Sequence, residues 1–131
     1  GRLFNIVSIK QAYPGHSRQA GLITSQTHAG GYLNRFVIVV DDDIDPSNLF
    51  DVVWAMSTRC DPAEDIEIIR KCWSGPLDPV IPKGKKGYNS RAVIDACRPY
   101  DWKDDFPPVA ESSKELRDQT YKKWKDVLGL G

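Results

Sequence analysis

Phe36-Val37-Ile38-Val39-Val40, then Asp41-Asp42-Asp43-Ile44-Asp45-Pro46, then a stretch of helical spacing that closes on Thr58-Arg59-Cys60-Asp61-Pro62, are the residues that decide the fold. Five consecutive β-branched or aromatic residues predict a buried strand, because a strand covered on both faces has no need of polar alternation. The acidic cluster falls at the carboxyl end of that strand. Asp45 is placed to cap a helix over residues 47–59, with Pro46 at its first position. Leu49, Val52, Val53 and Met56 recur at helical spacing and are expected to face the sheet. A strand–loop–helix unit belongs to an α/β protein, and in such sheets ligands tend to bind beyond the carboxyl ends of the strands.

Asp41, Asp42, Asp43 and Asp45 admit three readings. Several carboxylates after a strand can hold Mg²⁺, which would make Asp41 and Asp43 the core of a metal-dependent, phosphatase-like enzyme. A calcium loop of the EF-hand type fails, because Pro46 stands where Gly is needed and Val52 where the bidentate Glu is needed. In the third reading Asp45 caps the helix, another Asp closes the turn, and the rest are solvated or paired with Arg. Arg59, near the end of its helix, offsets the dipole there and is expected to pair with Asp42, Asp45 or Asp61.

Outward from this unit the pattern repeats. Residues 3–9 alternate as a strand, Pro14-Gly15 makes a turn, and 18–28 read as a helix with Ala20, Leu22, Ile23 and Thr27 inward. Ala29-Gly30-Gly31 is placed as a glycine cap to that helix. Asp61-Pro62-Ala63-Glu64 predicts a short capped turn, 66–70 a third strand and 91–96 a fourth. Residues 72–88 hold three Pro and three Gly without periodicity, the mark of a long functional loop. Lys83-Gly84-Lys85-Lys86-Gly87 lacks the Walker spacing and reads as a solvated tip. Ser112-Ser113-Lys114-Glu115 is a capping box opening a last helix to about residue 128, with Leu116, Trp124, Val127 and Leu128 on one side. The order implies a single α/β domain: a mainly parallel sheet flanked by helices, with right-handed crossovers and a C-terminal amphipathic helix.

Composition excludes several classes. The 131 residues suffice for one domain with a core. Eighteen basic residues balance eighteen acidic ones, so no global positive field would attract nucleic acid. No apolar run reaches the ~20 residues of a membrane helix. Cys60, Cys72 and Cys97 lack metal-site or redox spacing and suit reduced thiols in the cytoplasm. The chain opens on Gly1 rather than Met, close to a strand, and is expected to be a piece of a longer one.

These residues carry a family resemblance. The segment 36–61, containing Trp54-Ala55-Met56-Ser57-Thr58-Arg59, resembles the C-terminal domain of UbiD-type decarboxylases. Ser8-Ile9-Lys10-Gln11 and Tyr13-Pro14-Gly15-His16 agree upstream. Downstream, Gly75-Pro76-Leu77-Asp78-Pro79 resembles the family's Pro-Leu loop, and Asn89-Ser90-Arg91-Ala92-Val93-Ile94-Asp95-Ala96 with Arg98-Pro99-Tyr100 its last strand. The resemblance implies reversible, non-oxidative decarboxylation of an aromatic, heteroaromatic or unsaturated acid. It also implies prenylated flavin mononucleotide (FMN) with a divalent metal, both held by an N-terminal flavin domain. The flavin and catalytic residues of that domain find no match here, so no catalytic residue and no bound cofactor are expected in this chain, and by itself it is expected to be inactive. Residues 1–110 would be the core of the C-terminal domain, and 111–131 a terminal helix for assembly into a homodimer or larger homo-oligomer, unless that helix docks on its own sheet.

The resemblance also assigns candidate positions. Gly75 and Leu77, flanking Pro76, would cover the bound acid; Leu77 would exclude water over its ring and Gly75 would leave room for a ring substituent. The competing expectation is a plain turn with Leu77 in the core. Tyr32 would come close to the cofactor end of the cleft, where its phenol can hydrogen-bond to a carboxylate or phosphate. Lys10 and His16 flank the Tyr13-Pro14-Gly15 turn as possible cleft residues, Lys10 as a cation and His16 as a cap at a helix start. The alternative from another class is an independent small-ligand-binding or oligomerisation module.

Overall fold

The computed structural model describes residues 3–85 and 87–129; Gly1, Lys86 and the last two residues of 111–131, on which expectations above fall, lie outside them. The elements run β1 (Phe4–Ile9), α1 (His16–Gln26), α2 (His28–Gly31), β2 (Phe36–Asp41), α3 (Leu49–Arg59), α4 (Pro62–Asp65), β3 (Ile66–Trp73), β4 (Tyr88–Ala96), one 3-10 turn (Tyr100–Trp102) and α5 (Lys114–Leu128). The sheet order is β1-β2-β4-β3. β1, β2 and β4 are mutually parallel, and β3 returns antiparallel along β4 at the edge. The sheet is thus mainly parallel and flanked by helices.

The continuous apolar run of β2 follows from burial on both faces. Ile38 and Val40 join Val52 and Ala55 of α3 and Ile94 of β4 in one core. Val37 and Val39 turn the other way, into a second core with Cys97, Ile9 and Ala20 of α1.

α1 departs from expectation. Its inward face is Ser17, Gly21 and Ser25, and Ile23 is exposed. Close approach explains this: a Cβ on Gly21 would lie inside van der Waals contact with Val93 Cγ1 and 3.2 Å from Val39 Cγ2. Gly15, with φ at 79°, caps the helix in the left-handed region that suits glycine. Ala29-Gly30-Gly31 does not cap α1. Thr27 ends it and itself caps α2, accepting from Gly30 N, which leaves these three residues inside α2.

α3 begins at Leu49, because Asn48 and not Asp45 accepts the capping bond, from Phe50 N. Asp45 instead closes an Asx turn with the N–H and hydroxyl of Ser47. The buried face of α3 is Val52, Ala55 and Arg59; Leu49 and Val53 face outward. At α4, Asp61 caps as expected, but the reciprocal bond to Asp61 N comes from Asp65 and not Glu64. β3 extends to Trp73 through an irregularity between Ile69 and Cys72, where Lys71 takes φ 58°. α5 is capped by Ser113, which accepts from Leu116 N, so the box registers one residue later than Ser112 would set it. No residue of α5 is buried, so the expectation that it docks on its own sheet is not met. Among the described residues no helix is long and apolar enough to cross a membrane.

Candidate functional site

The candidate residues divide between the two ends of the sheet. Because β3 is antiparallel, its last residue, Trp73, pairs with the first of β4, Tyr88. The loop that follows therefore lies at the amino end of the parallel strands. Tyr32, just ahead of β2, arrives at that same end. Lys10 and His16 follow β1 and lie at the opposite, carboxyl end.

At the amino end, Asp78 holds the loop. Its fully buried carboxylate accepts from Arg35 and Val80 N (3.1 Å) on Oδ1, and from Ser74 Oγ (3.1 Å) and Asn89 Nδ2 (3.1 Å) on Oδ2. Burial alone would raise its pKa, but bonds from Asn89, the Val80 N–H, Ser74 and Arg35 outweigh that and hold it below the usual carboxylate range. Ser74 N donates to Gly87 O at 2.8 Å, closing the loop base. The neighbouring residue does the opposite: Leu77 is 72% exposed. It is therefore not packed in the core, and the plain-turn expectation fails on that point.

Tyr32 and Gly75 meet. A Cβ on Gly75 would lie 2.8 Å from Tyr32 Cδ2 and closer still to Cε2 and Cζ. The room that Gly75 was expected to leave for a ring substituent is occupied by the Tyr32 ring. That ring also tilts against Trp73 at 5.8 Å, and Trp73 stacks on His28 at 5.3 Å. Beneath them the buried Arg91 donates to the main-chain carbonyls of Ser25, Gly31 and Trp73. Burial lowers its pKa from the ordinary guanidinium value.

At the carboxyl end the acidic cluster is a structural hub. Asp41 accepts from Gln11 Nε2 (2.8 Å) on Oδ1, and on Oδ2 from Arg59 (3.0 Å), Arg98 N (2.8 Å) and Arg98 Nε (3.1 Å). Asp43 takes both terminal nitrogens of Arg59, at 2.9 and 2.8 Å, which holds its carboxyl below the usual range. Arg59 thus pairs with Asp41 and Asp43, not with Asp42, Asp45 or Asp61; the fork reaches the carboxylate that ends β2 and one on the loop after it. Among the described residues no three His, Cys, Asp or Glu side chains converge as metal ligands.

Arg98 has no place among the sequence candidates, yet it completes the hub. Its place follows from the register: Val40 pairs with Ala96, so a residue two past β4 falls beside the end of β2, a pairing that the sequence does not disclose. Lys10 is exposed on a cleft of about 210 Å³ with Gln11, Asp42, Arg98, Lys103 and Asp104. His16 accepts from Ala12 N at 3.2 Å and stacks on Tyr13 at 4.4 Å, closing the turn before α1. Ser17 donates to Asp95, whose carboxyl burial pushes up, as burial also does the Cys97 thiol. All three cysteines are free.

This mainly parallel α/β domain has counterparts in fold among solved proteins. The model of the UbiD 3-octaprenyl-4-hydroxybenzoate carboxy-lyase C-terminal domain matches residues 1–96. The chain belongs to that family. It is 37% identical over 94 residues to a phenolic acid decarboxylase of Sedimentibacter hydroxybenzoicus, covering 72% of this chain and 19% of the relative. A Bacillus subtilis phenolic acid decarboxylase is 40% identical over 98 residues, 74% of this chain and 20% of the relative. The chain thus spans about a fifth of the length of the curated relatives it matches.

Among solved structures, vanillic acid decarboxylase of S. hydroxybenzoicus matches in its closed form with a TM-score of 0.71 at 31% identity, over 90% of this chain and 25% of that one. Its open form gives 0.70 at 30% identity, over 94% and 26%. The UbiD-class enzyme HmfF of Pelotomaculum thermopropionicum, in complex with FMN, shares the fold, with a TM-score of 0.71 at 23% identity over 88% of this chain and 26% of that one.

Proposed function

We propose that this chain is the pocket-closing and assembly domain of a longer UbiD-type carboxy-lyase acting on an aromatic or unsaturated carboxylic acid. The observation that carries the reading is Leu77: a large apolar side chain held out to solvent beside a buried neighbour that accepts hydrogen bonds from Arg35, Ser74, Val80 N and Asn89. Leu77 is exposed together with Val80 on the same loop and with the paired Trp73 and Tyr88 at its base, and an exposed apolar group of this kind is accounted for by a partner surface that it covers. With Tyr32 and Trp73 beside it, the loop offers an apolar, aromatic rim suited to an aromatic acid.

Prenylated FMN, held by the N-terminal flavin domain with its divalent metal, would supply the electron sink for loss of CO₂. The Pro76-Leu77 portion of the loop fits the acid's ring and not the cofactor phosphate, since its exposed surface is hydrocarbon. In this reading Leu77 excludes water over the ring, Tyr32 bounds the pocket wall, and Asp78 fixes the loop so that closure costs little further ordering. Lys10 and His16, at the far end of the sheet, take no part in the pocket. That the domain matches the closed and open forms of one decarboxylase about equally well supports movement as a rigid unit. The exposed stripe of α5, with Leu116, Tyr121, Trp124 and Leu128 along a groove of about 430 Å³, supports a role for residues 111–131 in pairing two copies of the enzyme.

The test is substrate selectivity of the full-length enzyme carrying Leu77→Ala or Leu77→Phe. Ratios of kcat/KM across a set of substituted benzoates should shift by about tenfold, as a few methylenes in a hydrophobic pocket allow. Thermal stability should stay near the parent, because the residue is exposed. Unchanged ratios with unchanged stability would count against the pocket role.

A further inference from the structure

We infer that Tyr32 is the specificity-determining residue at the position that residue 75 would otherwise fill: the two form one interlocked site at which only one can carry a side chain. The inference rests on the pocket reading above and deepens it. The Tyr32 atoms nearest a Cβ on Gly75 are Cε2 and Cζ. Cζ bears the hydroxyl, so the polar end of the ring crosses the place where a residue 75 side chain would leave the backbone. The space next to Gly75 is therefore filled from the segment ahead of β2 and not from the Pro-Leu loop itself.

The framework around the pair sets this register. Arg91 binds the carbonyl of Gly31, one residue before Tyr32, and the carbonyl of Trp73, two before Gly75. One buried cation thus ties both strands of the contact together. Leu33, directly after Tyr32, takes φ 70°, a conformation that side chains adopt only when their surroundings hold them there. Trp73 packs against the same ring at 5.8 Å. Neither partner can yield without breaking one of these contacts, so an added methyl at 75 must displace the ring.

The experiment is a double-substitution cycle in the full-length enzyme: Gly75→Ala, Tyr32→Ala, both together, and Tyr32→Phe as the conservative variant. Readouts are thermal midpoint and kcat/KM for benzoate and 2-naphthoate. Gly75→Ala alone should lower the midpoint and slow both acids. In the Tyr32→Ala background the same change should be silent, within about twofold in kcat/KM. Tyr32→Ala should raise the naphthoate-to-benzoate ratio about tenfold, the range open to hydrophobic volume, and Tyr32→Phe should leave it unchanged. Equal effects of Gly75→Ala in both backgrounds would overturn the interlock. Coupling with a fixed ratio in Tyr32→Ala, while Leu77→Ala shifts it, would overturn Tyr32 as the determinant and leave the pocket standing. A ratio moved by neither variant would bring down the pocket reading and this inference together.

Discussion

Asp41 and Asp42 are chemically identical neighbours with opposite fates. Asp41 sits at the last position of β2 under two guanidinium groups, with its side chain 5% exposed and that of Arg59 2%; Asp42 is exposed. Removing Asp41 leaves Arg59 buried without its inner partner, although Asp43 still reaches it from the rim. Asp41→Ala should therefore cost about 3–5 kcal/mol, the usual result of breaking a buried ion pair from one side. Asp42→Ala, as a surface change, should stay within about 0.5 kcal/mol. Urea unfolding of the two variants against the parent measures both. The structural reading of the acidic run was legible in the sequence; the choice of Asp41 as its centre was not, because it depends on Gln11 and Arg98, 30 and 57 positions away.

The packing of α1 on β4 shows a matched ladder. Ser17, Gly21 and Ser25 stand opposite Asp95, Val93 and Arg91. Four helical residues rise about 6 Å and two strand residues about 6.6 Å, so the two series stay in step over three rungs. The outer rungs are also polarised: a carboxylate lies at the amino end of α1 and a guanidinium at its carboxyl end, each where the helix dipole favours it. Gly21→Ala would force the middle rung apart and should cost about 1–3 kcal/mol, readable in the same unfolding experiment. Hydrophobic periodicity misjudges such a helix, because its inward residues are small and polar and their partners belong to another strand. The same method succeeds for β2, where burial on both faces leaves a direct mark in composition. At α3, Asp45-Pro46 carries the stronger local signal, but Asp45 is already engaged by Ser47, and Asn48 takes over as cap.

At the scale of the molecule, two features set the domain's dealings with its surroundings. α5 exposes its whole length, and on the assembly reading Leu116→Glu with Trp124→Glu should lower the mass of the full-length enzyme in light scattering while leaving the monomer folded. An unchanged mass would remove α5 from the assembly interface. The second feature is the division of the sheet. The general rule for α/β proteins points to the strand carboxyl ends, and there the structure has the ionic hub with a cleft of about 210 Å³ beside it; the Pro-Leu loop lies at the other end because β3 runs backwards. That reversal has no signature in the residues of β3 themselves, so the loop was recognisable by its sequence while its location was not. The separation has a consequence for evolvability. The ionic hub and the Leu77 tip lie at opposite ends of the strands and, among the described residues, share no hydrogen bond, so drift at the tip should leave the hub's stability untouched. On the pocket reading, a lineage could explore new acids through residues 76 and 77 without first acquiring compensating changes in the frame, and a combinatorial library confined to those two codons should contain a large folded fraction.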